Sequence, residues 1–243
     1  MVIKPASPAP RDLLQLSTVD VYSPPKYVST IFFYKSVFGE SLEIISERLK
    51  TSLSETLSRF YPLAGRIEGD KIICNDEGAF FTEARTYLLL QNFLKNNPHN
   101  TNSLPEFLPT VTPGEYAGTW PFLSVKVNFF GSRSGVAVTV SISHKICDAA
   151  SVLTFVSDWA ATAKAHESND VVMNIPTFAS TTIYPPHHSS FQSSSVGGLY
   201  PFRGKCATNR FFFKSSKIAK LKRRATSETV LVPTRVEAIS DST

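Results

Sequence analysis

The residues whose types and spacing suit chemistry are His144-Lys145-Ile146-Cys147-Asp148, a histidine followed four positions on by an aspartate. Imidazole is the side chain that ordinarily exchanges its proton near neutral pH, so a histidine aimed into a cleft suits general-base work on a hydroxyl or an amine. Asp148 stands where an apolar helical period begins, which suits an N-cap whose carboxylate holds the loop that aims His144. The spacing alone is weak evidence, and the plain alternative is a satisfied histidine at a strand end beside a capping aspartate. Cys147 permits another reading, a thiolate nucleophile activated by His144 and a helix amino terminus. A metal bound by His144 and Asp148 lacks a third ligand, and His187-His188 have no partner spacing, so no metal site is expected.

The elements around this motif give it a setting. Leu123, Val125, Val127 and Phe129 alternate, as do Val136, Val138, Val140 and Ile142, with Gly131 and Gly135 bracketing a turn. These read as an antiparallel pair of strands. His144 shares the even parity of the second run, so it projects from the strand end toward the buried side. From Asp148 the period turns helical, with Ala149, Val152, Phe155, Val156, Trp159 and Ala163 on one side. Upstream, TIFFYK at residues 30–35 predicts a buried strand. Leu42, Ile45, Leu49, Leu53, Leu57 and Phe60 predict an amphipathic helix that Pro62 ends. Turn residues Asn75, Asp76 and Gly78 predict a hairpin, and a helix is expected over residues 87–95.

Residues 180–202, rich in Ser, Pro, His and Gly, read as a long crossing segment. A strand at 209–214, a helix at 216–225 and a new apolar run follow. Interleaved strands and helices indicate an α/β fold, a two-layer mixed sheet covered by helices on one side. The expected organisation is one domain over 1–180, a linker over 181–202, and a strand and helix over 203–243.

Composition narrows the class. A hydrophobic content of 42% with 12% aromatics in 243 residues supports a buried core. No run suits a signal peptide or a membrane span, so a soluble, cytoplasmic protein without a membrane partner is expected. Three cysteines, Cys74, Cys147 and Cys206, read as reduced thiols. The net charge of +5 is uneven, with basic residues gathered in 203–235. That reads as a solvated helix face rather than a nucleic-acid surface.

Phe60-Tyr61-Pro62-Leu63-Ala64-Gly65-Arg66 resembles the FYPLAGR signature of the BAHD acyltransferases, and Asn75-Asp76-Glu77-Gly78-Ala79 through Glu83-Ala84 resembles the block that follows it there. Both precede HxxxD in the family's order. Leu16-Ser17-Thr18-Val19-Asp20, Ser143-His144, Phe155 and Trp159-Ala160 agree as well, and Pro176-Thr177-Phe178, Tyr184-Pro185-Pro186 and Arg210-Phe211-Phe212-Phe213 are similar to the branch containing vinorine synthase. This resemblance implies a chloramphenicol acetyltransferase-like fold of two similar domains with a channel between them. The chain is therefore expected to be the amino-terminal half, truncated before the second domain, since the DFGWG signature is absent. Ala149 also replaces the family's usual glycine after the motif aspartate.

What the resemblance implies for chemistry agrees with the residue-level reading. His144 takes a proton from the hydroxyl of a plant specialised metabolite, which attacks the thioester of acyl-CoA, with acetyl-CoA as the expected donor and no permanently bound cofactor. Asp148 supports the motif by pairing with an arginine of the second domain. Full-length relatives are expected to be monomeric. The alternative is a catalytically inactive fragment with a binding role or none.

Overall fold

In the computed structural model, residues 1–24, 26–35, 40–96, 103–110, 120–165, 175–186 and 213–240 are described. The expected strand at 209–214 falls almost wholly outside them, as do His187, His188 and Cys206 entirely. The chain divides into two compact units, one of residues 1–95 with 103–204 and one of residues 96–102 with 205–243.

In the first unit, elements run β1 (Val2–Ile3), β2 (Leu13–Gln15), α1 (Thr18–Tyr22), β3 (Tyr27–Lys35), α2 (Leu42–Arg59), β4 (Arg66–Glu68), β5 (Lys71–Ile73), β6 (Ala79–Arg85), α3 (Leu90–Asn96), β7 (Leu123–Phe129), β8 (Gly135–Ser143), α4 (Ala149–Ala165) and α5 (Ser180–Ile183). A five-stranded sheet has the order β1-β6-β7-β8-β3, with β6 and β7 parallel and the other pairs antiparallel. A small sheet, β2-β5-β4, lies apart from it.

Strand β8 is buried along nearly its whole length because both sheet faces are covered. On one face Val138, Val140 and Ile142 join Val125 and Val127 beneath Leu53 and Leu57 of α2 and Val152, Phe155 and Trp159 of α4. On the other, Ala137 meets Phe107, Phe130, Leu90 and Phe93. Polar groups on that second face are satisfied locally: Thr139 Oγ1 donates to the Phe107 carbonyl at 2.8 Å. Burial of this kind contributes about 25 cal/mol per Å² of apolar surface removed from water.

Two sequence expectations need correction. Strand β3 lies at the sheet edge and is only half-buried, because it has β8 on one side and no strand on the other, although Ile31, Phe32 and Phe33 still pack on the two cores. The hairpin expected around Asn75, Asp76 and Gly78 is instead a passage between sheets, since β5 pairs with β2 and β4 while β6 pairs with β1 and β7. Asp76 and Gly78 do adopt positive φ, as turn residues can. The true hairpin joins β4 to β5 through Gly69. By contrast, the β7–β8 pair and helices α2 and α4 match the sequence reading.

The second unit holds α6 (Ser215–Ala225) and α7 (Arg235–Ser240), which pack on each other. The basic side chains Lys217, Lys220, Arg223 and Arg224 of α6 are exposed, as a solvated face requires. Among the described residues no helix is long and apolar enough to cross a membrane.

A buried charged contact joins helices α2 and α4. Asp158, fully buried on α4, accepts from Arg59 Nε of α2 at 2.9 Å, and Arg59 Nη2 also reaches Thr162 Oγ1. Removing one member of a buried charge pair is destabilising. Arg59→Met is therefore expected to lower stability in urea unfolding by roughly 3 kcal/mol, whereas an exposed change such as Lys71→Met stays within about 0.5 kcal/mol.

Candidate active site

Strand β8 ends at Ser143, and the chain turns at once into the HxxxD loop. Three backbone bonds fix that corner: Ser143 donates to the Phe122 carbonyl at 2.9 Å, His144 to the Lys26 carbonyl at 2.7 Å, and Ile146 to the Ser143 carbonyl at 3.2 Å. The histidine is thus held by the segment that leads into β3, whose first residue Tyr27 stands opposite Ser143. Tyr27 donates its hydroxyl to the Pro121 carbonyl, and burial pushes that hydroxyl up to about 12, so it stays protonated.

His144 is half-buried, and its Nδ1 is shut off from water without a hydrogen-bond partner. With Nδ1 enclosed, Nε2 is the ring nitrogen left to meet a reactant.

Asp148 behaves as the sequence predicts for a cap. Its Oδ1 accepts from the Ser151 amide at 2.8 Å, and its carbonyl receives the Val152 amide as α4 begins. The Ser151 amide is the chief reason its carboxyl sits below the ordinary range, with the nearby His144 charge a smaller cause. Among the described residues no arginine pairs with it.

Cys147 is not a poised thiolate. Burial pushes its thiol up to about 12, and Asp148 and Asp20 add to the rise, which leaves the nucleophile reading without support. Among the described residues no cluster suited to a metal ion occurs.

Lys145 is the site residue that sequence reading missed. Its ammonium reaches back across the loop to the carbonyls of Val21 and Ser23 at the end of α1, at 3.3 Å for Ser23. Burial lowers its pKa, while Asp20 opposes the change. Nothing in sequence separates this lysine from a solvated one, because its acceptors are backbone carbonyls more than a hundred residues upstream. α1 itself is stabilised by a capping box, with Ser17 and Asp20 bonding reciprocally. A strap formed by residues 175–186 lies on α1: Thr18 donates its amide to the Tyr184 carbonyl at 3.3 Å, and Ser180 Oγ reaches Asp20 Oδ2 at 3.4 Å.

The FYPLAGR block has no catalytic geometry. Tyr61, Pro62, Leu63 and Ala64 are buried as a short 3-10 turn, and Gly65 has no room for a side chain, since a Cβ there meets the Ile73 carbonyl oxygen at 2.4 Å. Arg66, buried with them, donates to the carbonyls of Gly65 and Gly78 at 2.8 and 3.1 Å and faces Glu77 at 3.0 Å. Gly78 in turn donates its amide to the Ala64 carbonyl at 2.9 Å, so both family signatures lock one junction between the two sheets.

Comparison with known proteins gives one consistent result. The sequence model of the Transferase family matches residues 1–241. The BAHD acyltransferase BIA1 of Arabidopsis thaliana is 61% identical over 98% of this chain and 54% of its own length. Minovincinine 19-hydroxy-O-acetyltransferase of Catharanthus roseus is 35% identical over 98% of this chain and 52% of its own. The crystal structure of vinorine synthase superposes with a TM-score of 0.74 at 28% identity, covering 99% of this chain and 57% of that one. TRI101 of F. graminearum, crystallised with coenzyme A and deoxynivalenol, shares the fold at a TM-score of 0.64 and 12% identity, over 94% of this chain and 58% of that one. The chain thus spans about half the length of the relatives it matches.

Because the Asp148 carboxyl is lowered in the fold, it stabilises the protein above the ordinary carboxylate range, and that contribution is lost as the pH falls through the lowered value. Asp148→Ala is expected to cost about 1 kcal/mol in urea unfolding at pH 7, and Asp148→Asn only a few tenths, since asparagine also caps. Equal losses for the two would assign the effect to charge rather than to the cap.

Proposed function

This chain belongs to the Transferase family of BAHD acyltransferases, and from that premise we propose that His144 serves as general base in moving an acyl group from acyl-CoA to a hydroxyl. The observation that carries the proposal is the half-buried imidazole that backbone hydrogen bonds hold at the end of β8. With the ring's own hydrogen on Nδ1, Nε2 is the nitrogen that takes the acceptor proton. The freed oxygen attacks the thioester carbonyl carbon, the carbon–sulfur bond breaks, and the departing thiolate recovers the proton from imidazolium. Ester and free coenzyme A result, and no acyl-enzyme is formed. His144 thereby avoids releasing an alkoxide into solution, a contribution typically of about 10²- to 10⁴-fold.

Acetyl-CoA as donor and a plant specialised metabolite as acceptor are the readings favoured by relatives named for acetyl transfer to a hydroxyl. Lys145 and Asp148 hold the loop from either side of Cys147, and neither is assigned contact with the reactants. A monomeric, cytoplasmic enzyme with no permanent cofactor completes the proposal.

A second reading, binding without turnover, draws support from Asp148, which has no arginine partner among the described residues. Thiol release from acetyl-CoA across a panel of alcohols separates the two. The expected outcome is turnover that rises when this chain is mixed with the carboxy-terminal half of the 61%-identical relative and falls about 10²-fold or more in His144→Ala. Undiminished turnover in that variant removes His144 from the mechanism. Coenzyme A binding with no turnover in any mixture favours the second reading.

A further inference from the structure

At the end of β8 remote from His144, a cavity of about 550 Å³ opens between the sheet and its two covering helices. Val140, its lining residue nearest the motif along β8, lies four residues before His144, so at about 3.4 Å per residue the near edge of the cavity is on the order of 14 Å from the imidazole. Its floor is Phe32 of β3 with Val138 and Val140 of β8, and its roof is Leu49 of α2 with Val156 and Trp159 of α4. Ala160 and Ala163 of α4, with only methyl side chains, complete the lining. Phe32, Leu49 and Val156 remain partly exposed, so the apolar packing is unfinished here. The size falls within the range of small-molecule sites, roughly 300–1,000 Å³.

Charge at the mouth has one dominant sign. Among the described lining residues, Lys35, Arg48, Arg133 and Lys164 stand against one carboxylate, Glu40, which is paired with Arg48. Among the described residues, neither Lys35 nor Lys164 has an ion-pair partner, and both are exposed.

We propose that this cavity binds an aliphatic monocarboxylate, its chain against the valine, leucine and tryptophan walls and its carboxylate among the lysines and arginines of the mouth. Aliphatic walls accept a hydrocarbon chain, and a cationic rim selects the anion over a neutral or cationic molecule of equal length. The site is independent of the acyl-transfer reading, since none of its lining residues belongs to the HxxxD loop.

Calorimetric titration with decanoate, decan-1-ol and decylamine, followed in parallel by tryptophan fluorescence, tests the proposal. Decanoate is expected to bind at one site, at least about tenfold more tightly than the other two. Lys35→Glu with Lys164→Glu, both at exposed positions, is expected to weaken decanoate about tenfold without lowering the melting temperature. Ala163→Phe is expected to fill the cavity and abolish binding. Equal affinity for the three probes, no decanoate binding, or binding unchanged by Ala163→Phe overturns the proposal. Sedimentation as a dimer with no decanoate binding overturns it too, in favour of a second copy on this face. Should Ala163→Phe fail to fold, the charge-reversed pair decides.

Discussion

A strand buried on both faces must end where its last polar groups still find partners, and β8 meets that constraint at Ser143. The bonds from Ser143 to Phe122 and from His144 to Lys26 close the ladder on both sides at once. Beyond them the next backbone must turn, and α4 provides the reason to turn sharply, because its first free amides need an acceptor at Asp148. The four-residue spacing of histidine and aspartate follows from these two demands. One terminates a sheet and the other begins a helix, with a single tight loop between. The imidazole's position is thus set by backbone hydrogen bonding before any question of catalysis arises.

Much of this was legible in the residues. Alternation in 123–129 and 136–142 marked the two central strands, the helical period marked α4, and a short acidic side chain before it marked the cap. Local pattern failed where the deciding partner was distant. The run Ile31-Phe32-Phe33 is apolar enough for a central strand, yet β3 is an edge, because hydrophobicity reports burial and cannot report which neighbours a strand lacks. The turn at Asp76 and Gly78 has hairpin chemistry, but register is a tertiary property, and β5 and β6 found different sheets. Lys145 was invisible for the same reason, since its acceptors are main-chain carbonyls on α1.

The signature blocks and the candidate site divide differently from what their prominence in sequence suggests. FYPLAGR and the Asn75 to Ala79 block meet at Arg66 and Gly78, where a buried guanidinium and a glycine amide join the small sheet to the large one. They fix the platform from which β6 and β7 run side by side. The histidine depends on them only through the sheet. The α1 turn couples more directly, since its carboxy-terminal carbonyls hold the lysine inside the motif and its own end carries the strap of residues 175–186.

The ladder between β3 and β8 joins residues far apart along the chain, as in the Ser29 and Ser141 hydroxyl contact, which spans 112 positions. A ribosome adding about 5–20 residues per second leaves β3 waiting on the order of ten seconds for its neighbour to emerge. Throughout that interval a nine-residue strand rich in aromatic side chains has no sheet to join. Until β8 is made, the ladder that holds β3 in the folded protein cannot form.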